Sequence, residues 1–395
     1  MLVCNFNTKT FPMNLQMVDL KGQYLNIKEE VDAAIRQVID STAFINGPQV
    51  KQFSDNLEKY LNVRHVIPCA NGTDALQIAL MALGLRPGDE VIVPCFTYVA
   101  TAEVIALLNL KPVMTEVDPH TFNLTAEIFE KAITPRTKAV VPVHLFGQCA
   151  DMEPILEVAR KHNIFVVEDT AQAIGADYTF SDGTVKKAGT MGHIGCTSFF
   201  PSKNLGCYGD GGALYTNDTE LFQRIKMIAN HGQAIKYHHE IVGVNSRLDT
   251  IQAAILDIKL KHLDAYAKAR NEAATFYDKA FNGLDWIQIP VRQPNSTHVF
   301  HQYTLKLTDP GDRDKLKAHL EAQKVPVMVY YPIPLHLQNA FKTPEYGVGD
   351  FPVSETLCSQ VISLPMHTEM TKEQLEYISK ALHSFKSEAV LSSVN

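Results

Sequence analysis

One lysine in this chain stands where its amino group could act as a nucleophile. Lys203 follows two aromatic residues, Phe199 and Phe200, and precedes the glycine-rich stretch GCYGDGG at 206–212. Such surroundings can desolvate an amino group, which lowers its pKa and makes the neutral amine available to attack an aldehyde. The alternative is a solvated surface lysine in a flexible loop, which the apolar residues and the glycine-rich turn make less attractive.

Two acidic residues end a run of apolar β-branched residues. Glu168 and Asp169 follow Val166 and Val167 and come shortly before Gln172. We expect both acids to face the crevice at the carboxyl end of a buried strand, where open α/β sheets bind ligands. The alternative is a cap for the following turn, because Asp is favoured at that position.

A third motif could bind an anion. Asn71, Gly72 and Thr73 lie between a β-branched run and a helical pattern. The free N–H groups in the first turn of such a helix are available to a phosphate. A plain N-cap is the alternative, since capping is common at such turns.

These motifs lie in a region, residues 55–220, where short β-branched runs alternate with helical patterns. The runs are HVIPC from His65, EVIVP from Glu90, KAVVPVHL from Lys138, IFVVE from Ile164, CTSFF from Cys196 and GALYT from Gly212. The alternation predicts an α/β fold with a mostly parallel sheet between helices. The helical pattern DALQIALMAL from Asp74 is apolar nearly all the way round, which predicts burial on several sides.

A second, smaller domain is expected after the sheet region. From about Asp249 a long helical stretch leads away from the sheet, and the strand pattern HQYTLKL from His301 precedes a helical pattern at 313–324. We therefore predict an N-terminal arm and helix at 1–40, a large domain at 41–254 and a small α+β domain at 255–395.

The composition excludes several classes of protein. The chain has 395 residues, of which 46% are hydrophobic and 20% charged, as in globular proteins. Its net charge is -7 and it has no long run of Lys and Arg, so we expect no nucleic-acid partner. It lacks a signal-like start and an apolar stretch of about 20 residues, so we expect no membrane segment and a cytoplasmic location. Scattered cysteines and histidines without ligand spacing predict reduced thiols and no metal.

Four longer motifs carry a resemblance to a known family. They are CANGTDALQIA from Cys69, CFTYVATAE from Cys95, CTSFFPSKNLGCYGDGGAL from Cys196 and VGVNSRLDTIQAAIL from Val242. With them the chain resembles the sugar aminotransferases of the DegT/DnrJ/EryC1/StrS family, from about residue 18 to about residue 367. That family is a branch of the fold-type I transferases that depend on pyridoxal 5′-phosphate. The resemblance implies a mostly parallel seven-stranded sheet between helices, a smaller C-terminal α+β domain, and pyridoxal 5′-phosphate as cofactor.

The resemblance assigns roles around that cofactor. It makes Lys203 the residue that forms the Schiff base and carries protons, and Asp169 the carboxylate that faces the pyridine nitrogen. An ionised carboxylate keeps that nitrogen protonated, so that the ring can accept electrons. The other matching positions are Gly72, Thr73 and Ser198 for the phosphate, Gln172 near the ring hydroxyl, and Tyr98 for stacking on the ring, with Phe96 as its competitor.

The resemblance also implies a homodimer. Asn245 matches the position at which the neighbouring subunit reaches the phosphate, so the active site is expected to be shared between subunits. Arg247 could bind an acidic group of the sugar or nucleotide, because its planar donors suit a carboxylate. The alternative for Arg247 is an ion pair with Asp249 or another acid.

A substrate-side loop is the last matching segment. It contains Tyr330, Tyr331 and His336, and many relatives have His where this chain has Tyr330. Because a phenol and an imidazole offer different hydrogen bonds, this departure bears on which sugar is bound.

Within the family the resemblance is strongest to enzymes that aminate UDP-2-acetamido-2-deoxy-3-oxo-D-glucuronate, with L-glutamate as amino donor, for the sugars of O-antigen and lipopolysaccharide. One alternative is an aminotransferase for a 4-keto-6-deoxy nucleotide sugar, and another is a non-catalytic regulatory protein that kept the fold. Family members that remove a sugar hydroxyl have histidine in place of the lysine, so Lys203 argues against a dehydratase.

Overall fold

The computed structural model describes residues 14–392, with side chains described as far as Lys386. The ends of the predicted terminal segments, 1–13 and 393–395, lie outside this range. The described helices are α1 (Leu20–Asn26), α2 (Lys28–Ser41), α3 (Pro48–Leu61), α4 (Gly72–Ala82), α5 (Ala100–Leu107), α6 (Ala126–Ala132), α7 (Met152–His162), α8 (Thr219–Ala229), α9 (Thr250–Leu260), α10 (Leu263–Phe281), α11 (Arg313–Ala322), α12 (Pro352–Gln360) and α13 (Lys372–Ser392). Short 3-10 turns lie at Leu145–Gly147, Pro310–Asp312, Leu335–Leu337 and Asn339–Phe341.

The described strands are β1 (His65–Cys69), β2 (Glu90–Pro94), β3 (Lys111–Thr115), β4 (Thr137–Val140), β5 (Phe165–Asp169), β6 (Asp177–Thr179), β7 (Val185–Lys187), β8 (Ile194–Ser198), β9 (Gly212–Thr216), β10 (Gln233–Ile235), β11 (His238–His239), β12 (Ile287–Gln288), β13 (Tyr303–Leu307) and β14 (Val361–Leu364). Seven of them form the central sheet, in the order β1-β9-β8-β5-β4-β2-β3. Strand β9 is antiparallel to both of its neighbours, and the other neighbouring pairs are parallel. The prediction of a mostly parallel sheet is therefore confirmed.

Alternate residues of the central strands pack on opposite faces of the sheet. Val91 and Val93 of β2 share a core with α4 and α5, whereas Ile92 lies in a second core with Phe129 of α6 and Ile155 of α7. This alternation follows from the two-residue repeat of a strand, and it explains why both faces are covered by helices.

The small domain is built around a three-stranded antiparallel sheet. Strands β12, β13 and β14 pair in that order, and α10, α11 and α13 pack with them in a separate core. The predicted boundary at 254/255 falls inside α9, whose apolar residues belong to cores with α2 and α3. We therefore propose that the small domain begins after α9, near Lys261.

Three structural findings concern the described residues as a whole. No helix among them is long and apolar enough to span a membrane. No group of three or more His, Cys, Asp or Glu residues in the same range could hold a metal ion. The six described cysteines are buried and unpaired, as expected for reduced thiols.

Candidate active site

The three motifs that could carry chemistry meet at one edge of the central sheet. Strands β1 and β8 are both antiparallel to β9, so they run in the same direction as each other and as β2 and β5. Their carboxyl ends therefore share one edge. That edge holds the residues that follow β1 and β2, together with Asp169 of β5 and Ser198 of β8.

A glycine brings the start of α4 against the end of β8. A Cβ on Gly72 would lie 2.6 Å from the Cβ of Ser198, so a larger residue would not fit. The Asn71 side chain caps the helix by accepting from the backbone N–H of Asp74 at 2.8 Å. The N–H groups of Gly72 and Thr73 lie in the first turn, where a helix offers no carbonyl partner. Capping and anion binding are thus compatible here, and Gly72, Thr73 and Ser198 form a small cradle.

Asp169 is held at the end of β5, where the residue is 6% exposed. Thr101 of α5 donates its hydroxyl to one carboxylate oxygen at 3.1 Å, and the Ala171 N–H donates to the other at 3.1 Å. Burial raises the pKa of Asp169, while these donors and the charge of Lys203 act in the opposite direction. An opposite charge in front of this carboxylate would be strongly stabilised, because few competing waters can reach it.

The expectation that Glu168 also faces the crevice is wrong. Its carboxylate is fully buried and accepts from the N–H groups of Gly189 and Met191 at 2.8 and 2.7 Å and from His144 Nε2 at 2.9 Å. Adjacent residues of a strand point to opposite faces, so only one of the two acids can face the crevice. Glu168 instead fixes the turn that precedes β8.

Lys203 lies in a loop closed at its base by a hydrogen bond from Cys207 N to Phe199 O, 2.8 Å. Its side chain is partly buried, and burial lowers its pKa to about 8, although the charge of Asp169 opposes that shift. Its amino group has no hydrogen bond or ion pair within residues 14–392. The predicted desolvation of this lysine is therefore present, and its amine is available for reaction.

The aromatic residues around the crevice differ in exposure. Phe96 is buried and packs against Phe122, Phe146 and Tyr331. Tyr98 is 57% exposed, with its ring centroid 6.3 Å from that of Tyr331. Phe96 therefore belongs to the core, and the ring available for stacking is that of Tyr98.

Gln172 ties the substrate-side loop to the sheet. Its Oε1 accepts from the Phe146 N–H at 2.7 Å and its Nε2 donates to the Tyr331 hydroxyl at 3.0 Å. Burial raises the pKa of Tyr331, so the phenol stays protonated at neutral pH. Its own proton can then be donated to a ligand in the crevice.

The segment around Asn245 lies beside the start of α4. Ser246 donates to the Asp74 carboxylate at 2.6 Å and accepts from the Ala70 N–H at 3.0 Å. Ser246 itself is buried, at 1% exposure. Asn245 is exposed and Arg247 is partly exposed. The alternative for Arg247, an ion pair with Asp249 or another acid, does not form among the described residues.

The other residues of the substrate-side loop divide into two groups. Tyr330 is partly buried beside Tyr331, at 6.1 Å between ring centroids. His336 is 1% exposed and is bonded to Glu355 at 3.1 Å. Because its ring is enclosed, the structure argues against the predicted contact between His336 and a substrate.

Two residues at the site are not among those singled out from the sequence. Thr101 positions Asp169, and its signal in the sequence is a hydroxyl residue one helical turn after Tyr98. His301 is buried, and burial followed by the charge of Lys203 keeps its pKa well below the usual range. A neutral imidazole near Lys203 could not be inferred from the chain, because nearly one hundred residues separate the two.

These residues fit pyridoxal 5′-phosphate. The cradle of Gly72, Thr73 and Ser198 offers N–H and hydroxyl donors to a phosphate, and a Cβ at residue 72 would fill it. Asp169 offers a buried carboxylate to the ring nitrogen, and Lys203 offers an amine to the aldehyde.

Comparison with known proteins agrees with this geometry. The model of the DegT/DnrJ/EryC1/StrS aminotransferase family matches residues 25–383. The chain is 46% identical to the UDP-2-acetamido-2-deoxy-3-oxo-D-glucuronate aminotransferase of Pseudomonas aeruginosa, over 93% of this chain and 99% of that one. It is 44% identical to the pleiotropic regulatory protein of Geobacillus stearothermophilus, over 94% of this chain and 99% of that one.

A solved structure extends the comparison to the fold. DesV of S. venezuelae, solved in complex with a ketimine intermediate, superimposes with a TM-score of 0.90 at 39% identity, covering 94% of this chain and 98% of its own. The predicted fold class, aminotransferase activity and pyridoxal 5′-phosphate cofactor are confirmed. The chain belongs to the DegT/DnrJ/EryC1/StrS aminotransferase family.

Proposed function

We propose that this aminotransferase transfers the amino group of L-glutamate to UDP-2-acetamido-2-deoxy-3-oxo-D-glucuronate, in the cytoplasmic synthesis of O-antigen or lipopolysaccharide sugars. The observation that carries the proposal is the unpartnered amino group of Lys203 beside the buried carboxylate of Asp169, within the described residues. The choice of sugar is supported by the similarity to the Pseudomonas enzyme and by the guanidinium of Arg247, which has no ion pair in the same range.

Lys203 is the proposed attachment point of the cofactor and the proton carrier of the reaction. When bound, pyridoxal phosphate supplies an electron sink and a temporary carrier for the amino group. A lysine with a pKa of about 8 is partly neutral near physiological pH. Its Nζ would therefore move a proton from the donor's α-carbon to the cofactor in the first half-reaction, and from the cofactor to the sugar carbon in the second. A fully solvated lysine would stay charged and could not accept that proton.

Asp169, in this proposal, keeps the ring nitrogen protonated. Thr101 and Ala171 each occupy one carboxylate oxygen, which fixes the plane of the group. Gly72, Thr73 and Ser198 bind the phosphate, and Tyr98 covers one face of the ring. We assign Gln172 to the hydroxyl side of the ring, where it also orients Tyr331 for the substrate.

Recognition of the sugar is assigned to Arg247, Tyr330 and Tyr331. A carboxylate of the sugar would pair with the guanidinium of Arg247 through two parallel hydrogen bonds. Tyr330 offers a phenol to a sugar hydroxyl. His336 is hydrogen-bonded to Glu355, and we assign it a structural role in this loop.

We further propose that the active site is shared between two subunits, with Asn245 reaching the phosphate of the partner. Its exposed position next to the buried Ser246, which contacts the start of α4, supports this role. Nearby, Ile235, Tyr237 and Val242 are 68%, 79% and 85% exposed in the single chain. Exposed apolar side chains this close together favour a surface that is covered by another subunit.

Mixed dimers test the sharing. Lys203→Ala and Asn245→Ala chains are co-expressed and the product is assayed. If Asn245 acts across the interface, each mixed dimer has one site with both native residues, and random mixing restores about one quarter of the sites. If Asn245 acts within its own chain, no site has both and mixing restores no activity.

The absorbance of the bound cofactor tests the reaction. Glutamate should convert its aldehyde form to the aminated form, and the 3-oxo sugar acid should reverse the change. Reversal only by a UDP-linked 4-keto sugar would keep the amino transfer and reject this substrate. Borohydride should trap the cofactor on the peptide that contains Lys203, and Lys203→Ala should abolish the trapping.

The regulatory protein from Geobacillus stearothermophilus motivates a second candidate, a non-catalytic role. Lys203, Asp169 and the phosphate cradle together argue against it, because a protein without turnover has no need of a desolvated amine. A protein that develops no absorbance band with added pyridoxal phosphate would favour the regulatory role.

A further inference from the structure

A second lysine, Lys259 of α9, is buried without a negative partner. It is 1% exposed, and no acidic side chain pairs with it within the described residues. Its Nζ donates to the carbonyl of Gly206 at 2.6 Å and lies 5.1 Å from the ring centroid of Tyr208. Burial lowers the pKa of Lys259 to about 8. An uncompensated buried ammonium costs folding free energy, and an apolar side chain of the same length would avoid that cost.

The carbonyl that Lys259 contacts belongs to the loop that carries Lys203. This loop runs from Phe199 to Cys207 and is closed by their backbone hydrogen bond. Gly206 packs so tightly against its start that a Cβ would lie 2.3 Å from the Pro201 carbonyl oxygen. The orientation of the Gly206 peptide therefore sets how the end of the loop packs against its start at Pro201. Lys203 lies between these two segments.

We propose that Lys259 is a positioning residue, whose buried ammonium fixes the Gly206 carbonyl and thereby the direction in which Lys203 presents its amine. A neutral side chain would leave this carbonyl without a charged donor and let the loop relax. The inference rests on the role of Lys203 proposed above. The buried ammonium of Lys259 lowers the stability of the fold, and its proposed role is to place the Lys203 amine accurately.

Lys259→Met tests the proposal, with Lys306→Met as matched control. Lys306 is partly buried and, like Lys259, donates to a carbonyl, that of Pro119, at 2.9 Å. We expect Lys259→Met to have an equal or higher urea midpoint than wild type. Its amine at Lys203 should react with pyridoxal phosphate about 10- to 100-fold more slowly, since small misplacements of reacting groups have effects of this size. Lys306→Met should react at the wild-type rate.

The absorbance of the bound cofactor distinguishes a positioning role of Lys259 from a role in stability alone. If the loop relaxes without Lys259, the surroundings of the Lys203 nitrogen change, and the pH at which the absorbance of the bound cofactor titrates should shift from its wild-type value. A wild-type rate and an unchanged titration midpoint in Lys259→Met would overturn the proposal. If Lys259→Met does not fold, Lys259→Gln is measured against the same criteria.

Borohydride trapping in the wild-type protein distinguishes a failure of the proposed function from a failure of this inference. Trapping at a residue other than Lys203 would reject the proposed function itself. Trapping at Lys203 together with a wild-type rate in Lys259→Met would reject this inference alone.

Discussion

Replacement of Lys203 by methionine should stabilise the cofactor-free protein at neutral pH. In the folded chain, burial lowers the pKa of this lysine from 10.5 to about 8. Each tenfold change in an acid dissociation constant corresponds to about 1.4 kcal/mol, so the folded state carries a penalty of at most about 3 kcal/mol while the amine is charged. Methionine is similar in length and carries no charge, so most of this penalty should disappear.

The stability gained by Lys203→Met should depend on pH. Below pH 8 the amine is protonated in both states and the full penalty applies. Between pH 8 and 10.5 the folded state loses its proton first, so the unfolded state binds more protons and wild-type stability rises with pH. The advantage of Lys203→Met should therefore be largest near pH 7 and shrink towards pH 10.5.

Urea unfolding of the cofactor-free proteins at pH 7 and pH 10 measures this difference. Lys342→Met, at an exposed lysine, is the control and should change stability little at either pH. A Lys203→Met protein that is less stable than wild type at pH 7, or an advantage that grows with pH, would refute the argument from burial.

Four further changes follow from the site. Asp169→Asn should lower kcat about 100-fold or more, since breaking the buried ion pair between this residue and the ring nitrogen costs about 3–5 kcal/mol. Stopped-flow measurement of the half-reaction with glutamate would check this. Tyr98→Ala should weaken cofactor binding about 10-fold by loss of ring stacking, with Tyr98→Phe close to wild type in a fluorescence titration. Arg247→Met should raise KM for the sugar acid about 10- to 100-fold and leave the glutamate half-reaction unchanged. Arg247→Lys should restore only part of the affinity, because lysine lacks the planar pair of donors of a guanidinium. Gly72→Ala should lower stability by about 1–3 kcal/mol in urea unfolding and weaken cofactor binding, because its Cβ would lie 2.6 Å from that of Ser198.

Much of the fold was predictable because its strands are short and apolar. The runs from His65, Glu90 and Gly212 coincide with β1, β2 and β9, since strands buried on both faces need continuous apolar residues. The motifs that follow β1 and β2 then fall at the same sheet edge as the ends of β5 and β8, whereas β9 runs in the opposite direction. Asp169 and Lys203 were identifiable for this reason as well as by resemblance.

Contacts between distant segments were not predictable. Lys259 lies in a helical pattern whose apolar neighbours indicate only a buried face, and nothing local points to the Gly206 carbonyl. Which of the two acids at the end of β5 faces the crevice depends on the turn before β8, whose N–H groups hold Glu168. The burial of His336 depends on Glu355, which lies in a separate helix.

The position of β9 has a consequence for how the site assembles. Its partner β1 precedes it by more than one hundred residues, yet β1 joins the sheet through β9. The start of α4 follows β1 directly, so the contact between Gly72 and Ser198 depends on a pairing of segments that are far apart in the chain. If the cradle is completed only after the rate-limiting step of folding, a cofactor that binds the completed cradle should slow unfolding and leave the rate of refolding unchanged.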